Sequence, residues 1–487
     1  MADRAMISFS RRGIVLGATA AALARPALAT KAPAFVLNDA SGLNPTSVAK
    51  TWAPSAAETP GRLRDLLRAE LRDAAAAGRP FTVGAARHSM GGQSLAAGGT
   101  AASLPAVELD LDTARLRYRV SAGARWRDVI ARLDRAGFSP AVMQSNHDFG
   151  VAATFSVNAH GWPAPFAPHG STVEAVTLML ADGTVLRCSR TENQELFRHA
   201  MGGYGLLGVI LDLELAMVPN EALQPRFTTT SFDKLATAFM AGVSDPKTRM
   251  IYGRLSVDRA HFLKQALLVA LATTPTSPHR LDDATPGRRL PPSLTRAVYR
   301  AQVGSDWGKR ARWFAETALG PALASGLYAR NALLNEPVSA LRNTTRGRTD
   351  ILHEYFVPPA HLAAFLDGCG RIIPAGGGDL LNVTLRYVRA DRDSVLAYAP
   401  EERIAAVMSF SQQLTADAEA GMQSMTTGLI DLALSHGGSF YLPYRLHASR
   451  RQVLAAYPAL PAFIETKRRH DPKALFRNMM WDRYCAA

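Results

Sequence analysis

Residues 83–94 read Val-Gly-Ala-Ala-Arg-His-Ser-Met-Gly-Gly-Gln-Ser and follow directly on a predicted strand, Pro80–Gly84. His88 therefore stands inside a turn built from Gly84, Ala85, Ala86, Arg87, Ser89, Met90, Gly91, Gly92 and Gln93. Small residues and paired glycines let successive backbone N–H groups converge on one anion, such as a pyrophosphate, forming a nest that bulky side chains would obstruct. The imidazole of His88 would then stand within reach of whatever the nest holds. The competing reading is a solvent-exposed loop histidine.

A second run of small residues, Phe149–Gly161, also ends in His-Gly. Ala152, Ala153, Ser156, Asn158, His160 and Gly161 would let the backbone pass against the edge of a flat ring; His160 is also readable as a hydrogen-bonded core histidine. A third segment is deceptive. Gly203-x-Gly205-x-x-Gly208 satisfies the nicotinamide-dinucleotide pattern, but such a turn must follow a strand and open a helix. Here the order is reversed. Asn193–Met201 reads as a helix, and in Val209–Val218 the residues Leu211, Leu213, Leu215 and Met217 alternate with polar ones like a half-buried strand. Nicotinamide binding is excluded on that order.

Other elements are legible from caps and periodicity. Thr59-Pro60 reads as an N-cap and first-turn proline before Leu63, Leu66, Leu67 and Leu71 at helical spacing. Leu116–Ala122 alternates as a strand, Trp126, Val129, Ile130 and Leu133 mark a helix, and Asp182-Gly183 turns a hairpin between Glu174–Ala181 and Thr184–Ser189. Further on, a basic, proline-punctuated insertion (Thr274–Pro292) precedes helical stretches such as Ala297–Leu319, and then Leu352–Pro358 and Leu381–Val388 read as strands.

Together the two small-residue runs and the glycine segment resemble the flavin-binding segments of the FAD-linked oxidases of the vanillyl-alcohol oxidase and p-cresol methylhydroxylase superfamily. Arg87-His88-Ser89 is most similar to the alditol and aldonolactone oxidase branch. The resemblance implies FAD as cofactor, covalently attached through His88, with Gly208, Val209 and Ile210 in the closing flavin segment. Asp471–Asn478 resembles the tail that returns the chain to the flavin domain, which adds Asn478 to the expected cofactor contacts. The implied fold is α+β: a two-part PCMH-type FAD-binding domain with a separate α+β cap for substrate. The expected boundaries are a leader at residues 1–29, the FAD domain at 30–220, the cap at 221–440 and the returning segment at 441–487.

The chemistry expected of such a site narrows the remaining candidates. Oxidation of an alcohol by hydride transfer to flavin N5 needs a group that takes the hydroxyl proton, and a fixed cation or donor near N1 eases reduction. Glu354 follows His353 on a strand, so one of the two side chains, and not both, would face the cleft. Arg386 matches the arginine of a Glu-x-Arg pair in alditol oxidases, with Thr384 where that pair has its carboxylate. Gly437–Arg445 resembles a strand of decaprenylphosphoryl-ribose oxidase, with Tyr444 at the lysine position, Tyr441 nearby, and Arg445 expected on the opposite face. Packing within a strand is the competing role for Glu354, Arg386, Tyr441 and Tyr444.

Length and composition set the outer limits. With 487 residues, 47% hydrophobic and 20% charged, the chain can bury one elaborate domain or two. Three widely spaced cysteines, Cys188, Cys369 and Cys485, fit neither a disulfide framework nor a zinc site, and no metal is expected. Ser10-Arg11-Arg12, an apolar run to Ala24 and Ala27-Leu28-Ala29 read as a twin-arginine export signal, implying a periplasmic or extracellular protein. The formal charge of +14 suits anionic substrates or membrane faces, and peripheral membrane association is one expectation. The leading expectation is an exported oxidoreductase acting on a C–OH group of a sugar, sugar lactone, polyol or glycosylated lipid, passing electrons to O2, a quinone or a redox protein. A flavin-dependent C=C reductase and a non-catalytic binder of anionic surfaces are the alternatives; no nucleic-acid module is recognisable, so nucleic acid is not an expected partner.

Overall fold

The computed structural model describes residues 35–486 apart from 107, 275–291, 325, 339–342 and 344. The leader and most of the basic insertion therefore lie outside the described residues. Three sheets position the site. A small parallel sheet runs in the order Lys50–Trp52, Thr100–Ala102, Phe81–Val83, covered by the helix Pro60–Ala76. Thr59 caps that helix as its sequence implies: its side chain accepts from the Arg62 N–H. Leu67, Leu71 and Ala74 pack against Phe81, Ala102, Leu475 and Phe476, and the Phe81 N–H donates to the Leu475 carbonyl. The C-terminal tail thus closes the layer whose strand feeds the His88 turn.

A six-stranded antiparallel sheet lies beside it, ordered Val185–Ser189, Val173–Met179, Val209–Pro219, Arg117–Ser121, Leu109–Asp112, with Phe138–Pro140 pairing the far end of Val209–Pro219. Its hairpin turns at Asp182-Gly183, and the helix Trp126–Arg135 buries Trp126, Val129, Ile130 and Leu133. Gly203–Gly208 joins the helix Gln194–Ala200 to the strand Val209–Pro219, the order opposite to a nicotinamide turn. One local expectation changes: part of the second small-residue run is a six-residue helix, Val151–Ser156, rather than a loop throughout.

Residues 222–440 build an eight-stranded antiparallel sheet in the order Tyr328–Ala329, Ala222–Ser231, Gln265–Thr273, Thr248–Leu255, Asp379–Val388, Arg403–Gln413, Arg348–Val357, Ser439–Phe440. Because successive side chains alternate in direction, Leu352, Glu354 and Phe356 share one face of it while His353 and Tyr355 share the other. The second face carries helices: Tyr355 meets Phe365 of the helix Leu362–Ala375, which packs beside Ala416–Ser435. The first face is left for the site.

Candidate active site

The first face of the eight-stranded sheet and the small-residue runs of the other two sheets enclose one large cavity. Its empty space, including the solvent-filled mouth, is about 1600 Å3. Residues 84–89 and Gln93 line one wall, and Ala152, Ala153, Ser156 and His160 another. Gly208, Val209 and Ile210 close a third side, and Glu354, Arg386, Tyr441 and Tyr444 form the far end.

The first wall behaves as an anion cradle. Arg87 has φ of +52°, the left-handed conformation that turns successive N–H groups toward one point. Among the described residues, none of the five N–H groups of residues 85–89 is hydrogen-bonded within the protein. The cradle stops sharply at Met90. The Met90 N–H donates to the Pro443 carbonyl, Gly91 to Gln93 Oε1 and Gly92 to Asp39 Oδ2, so these donors are spent on the protein itself.

Met90, Gly91 and Gly92 consequently do not line the cavity, contrary to the expectation, and their smallness has another cause. A Cβ on Gly91 would lie 2.3 Å from the Tyr444 carbonyl oxygen, and one on Gly92 would lie 2.1 Å from the Met479 sulfur. Asn158, Gly161 and Asn478 are corrected likewise. Asn158 donates to Asp391 and accepts from the Gly170 N–H; Gly161 packs so tightly on the Met143 carbonyl that a Cβ would approach it to 1.9 Å. Asn478 caps the helix Met479–Tyr484 and donates to the carbonyls of Gln93 and Tyr204. These residues hold the walls from behind.

His88 lies half-buried with its ring 4.5 Å from Phe149. Burial lowers its pKa below the ordinary value, so the ring is neutral near pH 7 and keeps a nucleophilic lone pair. At the far end, His160 Nε2 and Glu354 Oε1 form a short hydrogen bond, and the Tyr444 hydroxyl donates to Glu354 Oε2 at 3.2 Å. Burial pushes the Glu354 carboxyl up, but His160, Arg386 and the Tyr444 hydrogen bond outweigh it and hold the group below its ordinary value. The phenol of Tyr444 moves the other way: burial and the neighbouring Glu354 charge raise it, so it stays protonated as a donor. Arg386 donates to the His160 carbonyl and to Ser145 Oγ. Tyr441 lines the cavity while its hydroxyl donates to the Val157 carbonyl, which makes it a wall that fixes the second small-residue run.

Both open pairs are resolved, the first by alternation along the strand Arg348–Val357 and the second on a turn, since the strand expected over 437–445 is only Ser439–Phe440. Glu354 faces the cavity, while His353 stacks on His447 on the other side of the sheet. Tyr444 faces the cavity, while Arg445 binds Glu419. Several lining residues had no motif to announce them, including Arg125, Gln144, Ser145, Asn146, Tyr204 and Leu352. Of these, Tyr204 and Leu352 lay in segments already singled out, and the φ of +55° at Tyr204 marks it as an unusual position for a side chain.

Comparison with known proteins agrees with this geometry. Residues 58–189 match the family model described as an FAD binding domain. Over that stretch the chain is similar to FAD-linked oxidases. It is 32% identical to L-gulonolactone oxidase of Mus musculus over 123 residues, 25% of this chain and 28% of that protein. Cytokinin dehydrogenase 1 of Oryza sativa subsp. japonica is 30% identical over 209 residues, 40% of this chain and 37% of that one. An uncharacterized oxidoreductase in the fasciation locus of Rhodococcoides fascians is 27% identical over 233 residues, 47% of this chain and 52% of it. The chain thus matches about a quarter to a half of the length of each of these relatives.

The residues present fit FAD, the cofactor that the matching domain binds. The free N–H groups of residues 85–89 suit its pyrophosphate. Buried polar atoms without a protein partner remain on the walls: Arg87 Nε, Ser94 Oγ, His160 Nδ1 and Arg386 Nε. Gly150 keeps the two small-residue walls in register, because a Cβ there would meet Ala85 Cβ at 2.6 Å.

Proposed function

We propose that this protein is an FAD-dependent oxidoreductase that oxidises a C–OH group of a polyhydroxylated substrate such as a sugar, sugar lactone or polyol. One observation carries the reading: the cavity that joins both flavin-type walls ends on an ionised, buried carboxylate hydrogen-bonded to a histidine and a phenol. The similarity to L-gulonolactone oxidase of Mus musculus supports the substrate class. When bound, FAD supplies a hydride acceptor. The protein's own groups manage the proton. As Tyr444 passes its hydroxyl proton to Glu354 Oε2, its oxygen is free to accept the proton of a substrate hydroxyl, and His160 holds the carboxylate in place from Oε1. The Arg386 guanidinium supplies fixed positive charge at the same end and would favour negative charge brought there on reduction.

The neutral, cavity-facing His88 supports covalent attachment at that ring. Acid denaturation followed by peptide mapping tests it: flavin fluorescence on the peptide containing His88 is expected, and complete release of flavin overturns the covalent assignment. The function itself is tested with purified protein and a panel of aldonolactones and alditols. Anaerobic bleaching of the flavin absorbance by at least one of them is expected; a protein that binds no flavin refutes the reading. Stopped-flow reoxidation in aerated buffer separates O2 from a quinone or redox protein as acceptor. Export is part of the proposal, resting on the Arg11-Arg12 signal, and fractionation of cells expressing R11K/R12K together should move the protein from periplasm to cytoplasm.

A further inference from the structure

Gln93 is among the residues expected to contact the cofactor, and it lines the cavity while only 7% exposed. Its amide is nevertheless fully engaged with the protein. Oε1 accepts from the Gly91 N–H at 3.0 Å, and Nε2 donates to the Leu442 carbonyl at 2.7 Å and to the Tyr444 carbonyl at 3.2 Å. A primary amide has two N–H donors, so neither remains for a bound molecule. What the side chain holds is the backbone on either side of Pro443.

That segment lies outside the regular structure. The strand Ser439–Phe440 ends before it, and residues 442–446 belong to no helix or strand. The successive carbonyls of Leu442, Pro443 and Tyr444 all accept from the turn at residues 90–93, the middle one from the Met90 N–H at 2.8 Å and the outer two from Gln93. A return contact comes from Arg445, which donates to the Met90 carbonyl at 3.2 Å and is itself anchored on Glu419 and Asn44. The segments approach so closely that a Cβ on Gly91 would lie 2.6 Å from Gln93 Nε2 as well as against the Tyr444 carbonyl. Turn 90–93 continues directly from the free N–H groups of residues 85–89. One loop thus begins as the anion cradle and ends as a clamp on Tyr444.

The phenol depends on such a clamp. Its hydroxyl reaches Glu354 Oε2 at 3.2 Å, longer than most O–H···O bonds, so a small shift of the backbone would part them. We propose that Gln93 is a positioning residue: its amide fixes the backbone of Tyr444 so that the phenol stays on Glu354, which ties the cofactor's seat to the proton relay. The inference rests on the reaction proposed above and names the residue that holds its relay together.

Gln93→Glu tests it, because the exchange keeps an oxygen for the Gly91 N–H and removes both donors to the carbonyls. Gln93→Met, which adds no charge, accompanies it. In single-turnover anaerobic reduction of the bound flavin by the best substrate, both variants should be slower by roughly 10–100-fold, with flavin occupancy retained and the half-saturating substrate concentration little changed. Burial pushes the Glu354 carboxyl up against His160, Arg386 and the Tyr444 hydrogen bond. Losing that bond lets the carboxyl rise, and the acid limb of kcat/KM should move to higher pH. With Tyr444→Phe already in place, Gln93→Glu should slow reduction by less than about twofold, since its effect passes through the phenol. Crystals of the flavin-containing native protein and of Gln93→Glu give a readout without turnover: the Tyr444 hydroxyl should sit on Glu354 in the first and leave it in the second. An unchanged rate and acid limb in both variants overturns the proposal, as does a loss that adds in full to that of Tyr444→Phe. Native crystals in which Gln93 Nε2 bonds the flavin instead of the two carbonyls overturn it as well. Flavin lost in step with rate would assign Gln93 to the cofactor's seat alone. A native chain whose flavin no substrate reduces refutes the reaction, and the crystals then decide whether Gln93 holds Tyr444.

Discussion

Glu354→Gln is the sharpest test of the proposed chemistry because it changes one proton acceptor and almost no volume. In the native chain both carboxylate oxygens are occupied, Oε1 by His160 and Oε2 by the Tyr444 hydroxyl, and the group is held ionised in a buried setting. A glutamine keeps one carbonyl oxygen to accept from Tyr444 or His160, and it cannot take a proton. A positioned general base contributes roughly 10²–10⁴-fold, so kcat should fall by that factor, equivalent to about 3–5 kcal/mol of barrier. Flavin content should be retained, because the residues of the anion cradle lie at the other end of the cavity. The assay is single-turnover anaerobic flavin reduction by the best substrate, with flavin occupancy measured on the same sample. The pH profile adds a sign. Since the native carboxyl sits below its ordinary value near 4.5, the acid limb attributable to it must lie below pH 4.5 in kcat/KM and be missing from the variant's residual rate. A variant that reduces flavin within about threefold of native, with an unchanged acid limb, refutes the role given to Glu354.

Three further outcomes follow from the packing. Gly150→Ala places a methyl 2.6 Å from Ala85 Cβ, and overpacking of about 1–3 kcal/mol should weaken flavin binding roughly 5–100-fold, read by titration of flavin-depleted protein. Glu419→Gln removes the carboxylate that binds Arg445, His447 and Gln412. Burial raises that carboxyl, but these three partners hold it well below its ordinary value. Its stabilising contribution is present at neutral pH and lost as pH falls through the lowered value. The native-minus-variant difference in urea stability should therefore be about 3 kcal/mol near pH 7 and shrink below pH 4. Lys467→Met leaves Asp471 buried without its ammonium, though still bonded by the N–H groups of Leu475 and Phe476. A loss of about 3–5 kcal/mol is expected, with earlier proteolysis of the C-terminal tail.

What was legible in the chain was local. The strand-turn at residues 80–89, the Thr59 cap, the Asp182-Gly183 hairpin and the reversed order around Gly203–Gly208 each depend on neighbours within a few positions. Strand alternation even assigned the facing of Glu354 against His353, because period two is a property of any strand; Tyr444 and Arg445 also diverge, but on a turn beyond the strand Ser439–Phe440. The misread residues fail for one shared reason. Gly91, Gly92, Gly161 and Asn478 are small or polar on account of partners such as Tyr444, Met479, Met143 and Tyr204, most of them hundreds of residues away in the chain. The helix Val151–Ser156 was hidden because six residues offer barely two turns of periodicity, and Val151 and Thr154 are β-branched. Gln144, Ser145 and Asn146 reach the cavity by following the short strand Phe138–Pro140, with no glycine or motif to mark them.

The way the far end of the cavity is held together implies that chemistry and assembly are coupled here. Glu354 and Arg386 come from the eight-stranded sheet, His160 and Ser145 from the segments beside the other sheets, and Tyr444 from the stretch leading to the tail. Both hydrogen bonds to the Glu354 carboxylate, from His160 and Tyr444, cross from one of these parts to another, while Arg386 acts on it from the same sheet. Separating them would strip the carboxylate of His160 and leave it an ordinary exposed acid. The same contacts are also seams: Arg386 reaches across to the His160 carbonyl, and Tyr441 to the Val157 carbonyl. Any motion that opened the cavity by drawing the sheet from the second small-residue run must break these bonds first. It would therefore part the carboxylate from Tyr444 and His160 in the same step, so that the proposed proton relay is complete only in the closed arrangement.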